Sequence, residues 1–308
     1  MPSNKITPDE LNALMASVDS LLVIDVRLDD DFAYQHIPKS LNNAVFEMAF
    51  AERMAQIAPN PRTPICVYGS QEGSLESAEA AAKLVRLGYE RVYDLHGGID
   101  AWAHSGHAIV NGDGSPPTPP KLSDGVYQVD LDNSHLKWIG RNLLNSHHGS
   151  IAITSGKIEI QSGSLVDAQL EVDFTKITCD DLQGSEWHDV LIAHLESDDF
   201  FDTEHFPAGG FRLTDSETLA DLNSGALNLK LEGDLVMRGQ VHPVTLSASA
   251  GISPDGQPAL QAHFSIDRTH WGMRYGSGKF FSRLAGHLVN DQIELELKII
   301  GKSDTTLA

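Results

Sequence analysis

Apolar and polar residues alternate along many short segments in the second half of the chain. Every second residue of "ALQAHFSID" is apolar, from Leu260 to Ile266, and "QIELELKII" repeats the pattern. Because successive side chains of a strand point to opposite faces, the pattern predicts antiparallel strands with one dry and one wet face. "QLEVDFTKI", "ALNLKLEGDLVM" and "HPVTLSASAG" predict further strands, with one main helix at "EWHDVLIAHLESDDFF". Many strands with little helix to cover them favour a closed barrel.

The first half has a different rhythm, in which short apolar runs alternate with helical stretches. "LLVIDVR", "PICVY" and "RVYDL" read as buried strands. "SAEAAAKLVRLGY" reads as a helix whose apolar face is expected at Ala78, Ala81, Ala82 and Val85. This order predicts an α/β unit with a mainly parallel sheet and flanking helices.

Between the halves, "NGDGSPPTPPKLSDG" holds four prolines and three glycines, which is the composition of a linker. A chain of 308 residues also exceeds what one core usually needs. We therefore predict two domains, at residues 1–112 and 126–302, joined by a linker at 113–125 and followed by a tail at 303–308.

Charge and cysteine content exclude several classes of function. Lys and Arg total 22 against 43 Asp and Glu, a net charge of -21 that repels nucleic acids and anionic lipid surfaces. No apolar run reaches the ~20 residues of a membrane span, and the first residues do not resemble a secretory signal. Two distant cysteines, Cys66 and Cys179, are expected as free thiols in a reducing compartment, so we expect a cytoplasmic protein.

The 14 histidines do not form a zinc pattern, since the His147–His148 pair lacks the spaced Cys or His partners of a tetrahedral site. No metal site is predicted.

Two segments of the first half, "LLVIDVRLDDDFAYQHIPKSLNNAVF" and "GYERVYDLHGGIDAWAHSGHAI", resemble the flanking signatures of rhodanese-like domains. The resemblance covers nearly all of residues 1–112. It implies that Asp25 and Arg27 hold the loops beside the active site. It also implies that a persulfide-carrying cysteine should end the central strand, within a loop whose N–H groups stabilise the sulfur anion.

That cysteine is missing from the expected position. The strand "ICVYG" places Gly69 there and Cys66 three residues earlier, and Ser77 and Leu84 match the family's following helix in this register. The loop also lacks Arg and Lys, while its glutamates would raise a thiol pKa and repel thiosulfate. We therefore interpret Cys66 as a buried, inert residue.

The degenerate loop comprises Gly69, Ser70, Gln71, Glu72, Gly73, Ser74, Leu75 and Glu76. Its backbone N–H groups are a candidate for anion binding.

The second half resembles the YceI or lipocalin-like isoprenoid-binding family through pieces such as "HLESDDFFDTEHFPAGGFRL" and "DRTHWGMRYGSGKFF". The resemblance implies an antiparallel barrel that holds a long apolar molecule, such as an isoprenoid quinone or a fatty amide. Strand alternation then suggests as lining Leu136, Trp138, Leu170, Val172, Phe174, Phe211, Leu227, Leu229, Leu231 and Phe264. The candidates for contacting a ligand's polar end are Arg141, His148, His194, Arg274 and Tyr275. The other interpretation is that these apolar side chains simply fill the barrel.

The leading hypothesis is a binding protein without a required cofactor. A rhodanese-fold module, non-catalytic and open to a protein partner, precedes a barrel that carries an isoprenoid or fatty lipid. One alternative is a sulfurtransferase that uses Cys66. A third is a structural or interaction protein in which neither pocket takes a small ligand.

Overall fold

The computed structural model describes residues 4–112, 115–118, 121–221, 225–284 and 287–303. The chain divides into two compact units, Met1–Pro119 and Pro120–Ala308. Residues 113, 114, 119 and 120 of the predicted linker and residues 304–308 of the predicted tail lie outside the described residues. Within the described part of the chain, no helix combines the length and apolarity needed to cross a membrane.

The first unit is a five-stranded parallel sheet with helices on both faces. Its elements are β1 (Asn4–Ile6), α1 (Pro8–Ser17), β2 (Leu22–Asp25), α2 (Asp29–Tyr34), β3 (Gln35–His36), β4 (Leu41–Asn42), α3 (Phe50–Ile57), β5 (Ile65–Tyr68), α4 (Glu76–Arg86), β6 (Val92–Leu95), α5 (Gly98–His104) and β7 (Val110–Asn111). The strand order is β1-β6-β5-β2-β4, and β3 and β7 form a separate antiparallel pair. This confirms the predicted α/β class.

The central strand β5 divides the core into two layers, because its side chains alternate between the faces of the sheet. Ile65 and Val67 pack in one cluster with α3 and α4. Cys66 and Tyr68 pack in the other cluster, with α1 and α5. All four side chains are buried, as expected for a strand covered on both faces.

The predicted apolar face of α4 is wrong by one position. The buried residues are Ser77, Ala80, Ala81 and Leu84, whereas Ala78 is exposed. An alanine-rich helix offers two similar apolar faces, and the one that is buried removes the larger Leu84 side chain from water.

The second unit is an antiparallel barrel with one main helix. Its elements are β8 (Gly125–Val129), β9 (His135–Arg141), β10 (Ser146–Gln161), β11 (Ser164–Asp173), α6 (Trp187–Glu196), β12 (Ala208–Thr218), β13 (Leu229–Met237), β14 (Gln240–Ile252), β15 (Pro258–Asp267) and β16 (Gln292–Ser303). Two 3₁₀ turns, Phe174–Lys176 and Arg268–Trp271, follow β11 and β15.

Among the described residues the barrel closes with eight strand positions. Both β8 and β9 pair with β10 and with β16, so these two short strands share one position. The ring is completed by the pairing of β10 with β11, and the neighbouring strands β11 to β16 pair in sequence order. Closure removes the free edges that an open sheet would expose, and it confirms the barrel that the alternating pattern predicts.

One close approach between neighbouring strands of the barrel requires glycine. A Cβ at Gly233 would lie 2.3 Å from the Phe211 ring, which packs directly on the β13 backbone. The ring therefore occupies the space that any other residue at position 233 would fill. This contact sets the position of one large aromatic side chain of the barrel interior.

Candidate functional site

A cavity of about 310 Å³ lies inside the barrel. Each of the strands β8 to β16 contributes residues to its wall, most of them aliphatic or aromatic. Nine of the ten side chains predicted to line it do so, all except Leu227. Small barrels are often filled by their own side chains, whereas this one retains a space of the size that ligand pockets have, ~300–1,000 Å³. Contact of these residues with a ligand remains a prediction.

The prediction for Leu227 is wrong because the strand pattern begins later than the sequence suggests. Leu227 precedes β13, is 60% exposed and does not line the cavity. The next residue, Asn228, is buried, and its side-chain amide donates hydrogen bonds to the carbonyls of Asp221 and Ala250 at 2.9 and 2.8 Å. These bonds fix the chain at the start of the strand, where alternation has not yet begun.

The position of Phe174 is also different from the expectation, although it lines the cavity. It lies in the 3₁₀ turn after β11 rather than in the strand. Its ring is 2% exposed and stacks on Phe201 at 4.5 Å between ring centroids. Thus the turn, not strand alternation, directs this side chain inward.

Polar side chains line several parts of the cavity, including Lys157 and Asn228, and a group at one end includes residues predicted to contact a ligand's polar group. Three of the five predicted residues line it there: Arg141, His194 and Tyr275. His194 Nε2 lies 3.1 Å from an Asp199 carboxylate oxygen, and its ring meets Tyr275 edge-on at 4.5 Å. The Arg141 Nε donates a hydrogen bond of 2.7 Å to Glu294. This end offers hydrogen-bonding groups to a ligand, with the Arg141 guanidinium already paired with Glu294.

The other two predicted residues do not line the cavity. His148 follows His147 in β10, and because neighbouring side chains of a strand face opposite sides, His147 takes the inward position. Arg274 lies beside a separate surface pocket, with its guanidinium 4.9 Å from the centre of the Phe280 ring.

Arg268 is a cavity residue that the sequence pattern does not reveal. It is 1% exposed and donates hydrogen bonds to the carbonyls of Met273 and Tyr275 at 2.6 and 2.7 Å, and of Val289 at 3.1 Å. Burial lowers the pKa of its guanidinium below the ordinary value. Arg268 thus links the backbone of the segment after β15 at Met273, Tyr275 and Val289. These hydrogen bonds hold Tyr275 at the polar end of the cavity. The only sequence signal for Arg268 is its place directly after a predicted strand.

In the first unit, Asp25 and Arg27 occupy the positions that the rhodanese resemblance implies. Their side chains form a buried ion pair of 2.7 Å. Arg27 also donates a 2.7 Å hydrogen bond to the Gln35 carbonyl, so the pair ties β2 to the segment after α2. Tyr68, at the end of β5, shares a hydrogen bond of 2.9 Å with Ser40. These contacts position the loops around the end of the central strand.

The degenerate loop, residues 69–76, places the Glu76 carboxylate beside Gly69, the position at which the rhodanese resemblance implies the sulfur. A Cβ built on Gly69 would lie 3.1 Å from Ser74 Oγ and 3.2 Å from Glu76 Oε2. The Ser70 hydroxyl donates a 3.2 Å hydrogen bond to Glu76 Oε1. By contrast, Glu76 Oε2 is buried and has no hydrogen-bond partner among the described residues. A negative oxygen at this point disfavours a thiolate or a bound anion.

Polar groups of the loop also form hydrogen bonds with one another. Ser74 Oγ donates a 2.9 Å hydrogen bond to the Gln71 carbonyl and accepts one from the Gln71 N–H at 3.4 Å. The predicted anion binding by the loop therefore has two features against it, the internal bonding and the Glu76 carboxylate.

Cys66 lies in an environment that suppresses thiol chemistry. It is 0% exposed, in the middle of β5, where it pairs with Val23 and Tyr93 of the neighbouring strands. Burial, reinforced by the nearby Asp94 carboxylate, raises the pKa of the thiol far above its ordinary value. Reactive cysteines need the opposite conditions, exposure and a lowered pKa. The environment of Cys66 matches the interpretation of an inert residue.

Comparisons with known proteins match both units. The family model of the YceI-like domain matches residues 127–300, and that of the rhodanese-like domain matches residues 7–105. A sulfurtransferase of Allochromatium vinosum is 32% identical over 111 residues, which are 36% of this chain and 98% of that protein. A UPF0312 protein of Shewanella denitrificans is 33% identical over 120 residues, covering 39% of this chain and 57% of that protein.

Among solved structures, BcnA of Burkholderia cenocepacia matches with a TM-score of 0.44 and 15% identity, covering 56% of this chain and 98% of that one.

Proposed function

Because the chain belongs to the YceI-like family over residues 127–300 and carries a rhodanese-like domain over residues 7–105, we propose that it binds an apolar ligand in its barrel and docks through a non-catalytic rhodanese-fold module. The ligand class is a slender chain of isoprenoid, quinone or fatty amide type. The observation that carries the proposal is the apolar cavity.

The energetic cost of leaving that cavity empty supports a bound ligand. Side chains around an unfilled core cavity lack packing partners, and this loss destabilises a protein. The wall of this cavity is mostly apolar, and apolar cavities do not fill readily with water. An apolar guest removes this cost, since it restores the missing contacts of the wall.

The shape of the cavity favours a chain over a compact molecule. Leu229 and Met237, at opposite ends of β13, both line it. Eight residue steps of a strand measure about 26 Å, and less along the axis of a tilted barrel. Since the volume is modest for this length, we infer that one apolar chain lies along the barrel with its polar group near Arg141, His194 and Tyr275.

The first unit supports a docking or sensing role rather than sulfur transfer. The rhodanese resemblance implies a catalytic cysteine at the position of Gly69, and Glu76 lies beside this residue. Leu75 of the same loop is 70% exposed, which offers an apolar contact to a protein partner. The cytoplasmic location belongs to this proposal, and the two free, buried cysteines agree with a reducing compartment.

Sulfur transfer is the second candidate, and the similarity to a protein named sulfurtransferase favours it. It requires Cys66 to become an exposed thiolate, against full burial and a raised pKa. Incubation with thiosulfate followed by cyanide distinguishes the two candidates. We expect no thiocyanate above background, whereas thiocyanate formation that is abolished by Cys66→Ser would favour the enzyme.

A fluorescence titration tests binding in the barrel. Trp138 lines the cavity and is 6% exposed, while Trp271, which ends the 3₁₀ turn after β15 and is 1% exposed, is not part of the lining. A fatty amide with a brominated chain should therefore quench part of the emission saturably, and Trp138→Phe should remove most of that quenching. Quenching that never saturates, or that is unaltered in Trp138→Phe, would reject binding at this site.

A further inference from the structure

Three side chains with metal-binding atoms meet at the edge of the barrel, on segments more than thirty residues apart. They are His147 of β10 and Cys179 and Asp181 of the segment after the first 3₁₀ turn, and their donor atoms lie within 4.8 Å of one another. His147 Nδ1 is 2.8 Å from Asp181 Oδ2, and Cys179 Sγ donates a hydrogen bond to Asp181 Oδ1 at 3.4 Å. The three groups therefore already converge on one point.

The backbone holds this cluster in place. The Thr178 N–H donates a hydrogen bond to the Ser150 carbonyl at 2.9 Å, and the Asp180 N–H donates one to the His148 carbonyl at 2.8 Å. These bonds hold the segment that carries Cys179 and Asp181 alongside β10. A Cβ at Gly149 would lie 1.8 Å from the Thr178 carbonyl oxygen, hence only glycine permits this close approach. Preorganised ligands lose little conformational freedom when an ion binds.

We propose that His147, Cys179 and Asp181 bind a zinc ion, with the fourth coordination position open to solvent. One imidazole nitrogen, one thiolate and one carboxylate are ligand types that zinc takes in tetrahedral sites. The thiolate disfavours magnesium and calcium, which prefer oxygen ligands. With zinc bonds of about 2.0–2.3 Å, tetrahedral ligand atoms stand about 3.5 Å apart, which small side-chain movements reach from the observed positions.

The Cys179 thiol donates a hydrogen bond to Asp181 Oδ1 at 3.4 Å, and the thiol proton passes to solvent as the Zn–S bond forms. Asp181 Oδ1 also accepts a 2.8 Å hydrogen bond from the His148 N–H, which holds the carboxylate beside the other two ligands. The cluster is accessible because His147 and Asp181 are 39% and 23% exposed.

The site adjoins the ligand cavity through two contacts. His147 also contributes to the cavity wall, and the Trp138 indole N–H donates a 3.1 Å hydrogen bond to the Thr178 carbonyl. A bound ion fixes the segment that carries Cys179 against β10 and so stiffens this part of the cavity rim. Zinc binding at these three residues is independent of which apolar ligand the barrel holds.

Cobalt substitution tests the site in the full chain after treatment with a chelator. One equivalent of Co²⁺ should give the absorption of a tetrahedral ion together with a sulfur-to-cobalt charge-transfer band, and Zn²⁺ should abolish both. The chain offers a matched control because it holds just two cysteines. Cys179→Ser should lose the charge-transfer band, and Cys66→Ala should keep it.

Two further variants decide the result if Cys179→Ser does not fold. His147→Ala and Asp181→Asn change partly exposed side chains and should each weaken Co²⁺ and Zn²⁺ binding at least tenfold, since even partners outside the ligand set contribute 10–100-fold to metal affinity. His263→Ala, at an exposed histidine elsewhere on the barrel, should leave the affinity unchanged. Absence of stoichiometric binding, or equal affinities in all of these variants, would overturn the proposal.

Discussion

Replacing Gly69 by cysteine should restore the residue type of the sulfurtransferases without restoring its reactivity. The new Cβ would meet Ser74 Oγ at 3.1 Å and Glu76 Oε2 at 3.2 Å, both of them side-chain atoms that can move slightly. We therefore expect Gly69→Cys to fold normally. The thiol would, however, lie against a carboxylate instead of the convergent N–H groups that an active loop provides.

The size of the effect follows from the separation of the charges. A sulfur bonded to that Cβ lies about 4 Å from the Glu76 carboxylate, and two unit charges at this distance interact by about 4 kcal/mol at an effective dielectric constant of about 20. Since one pKa unit corresponds to about 1.4 kcal/mol, the upper limit is a rise of about three units. Screening by water at this partly exposed loop reduces the expected rise to between about one and three units.

The pH dependence of alkylation measures this pKa directly, with the modified peptide identified by mass spectrometry. Gly69→Cys should react with iodoacetamide only at alkaline pH, and adding Glu76→Gln should shift the profile by at least one unit towards neutrality. Adding Glu72→Gln should shift it little, because Glu72 is 81% exposed and lies beside His96. An ordinary thiol pKa in Gly69→Cys, or identical profiles in the two double variants, would refute the assigned role of Glu76.

Three other predictions concern the cavity, an ion pair and the buried thiol. Leu231→Trp should fill the cavity and weaken binding of a fatty amide at least tenfold in calorimetry, whereas Val241→Trp, at a 56% exposed position, should not; equal effects would argue against the cavity. Burial tends to raise the pKa of Asp267, but hydrogen bonds from Lys279 and Thr269 lower it to about 2. Its contribution, about 2 kcal/mol, is therefore complete above pH ~4 and lost as the pH falls through 2. In urea unfolding, Asp267→Asn should cost stability at pH 6 but not at pH 2, and a pH-independent cost would contradict the assignment. Cys66→Ser should lower the free energy of unfolding by about 1–3 kcal/mol, because it places a hydroxyl in a fully buried strand, and a neutral result would contradict that burial.

The sequence pattern predicts the architecture well because burial imposes a period on each element. Alternation at Leu229 and Leu231 continues along β13, where the ladder of hydrogen bonds keeps successive side chains on opposite faces. The pattern fails at Leu227, where the side-chain bonds of Asn228 replace the regular ladder. In α4 it fails because alanines on both sides of the helix make two faces nearly equivalent.

The candidate sites are less predictable, since they depend on contacts between distant segments. His147 and Cys179 meet because the chain crosses β10 at Gly149, a crossing that no local pattern encodes. The sequence pattern likewise does not predict the burial of Arg268, because a charged residue after a strand ordinarily faces water. The assignment of Gly69 to the position of the missing cysteine rests on the rhodanese resemblance and on the match of the following helix, and it stays a prediction.

Native mass spectrometry of the full chain, purified without detergent, detects a ligand in the barrel itself. We expect a bound apolar molecule, released by organic solvent, in the unmodified chain and in Val241→Trp, and its loss in Leu231→Trp. A barrel that is empty as purified, and that takes up neither a prenyl alcohol nor a fatty amide when these are added, would rule out ligand binding in this cavity.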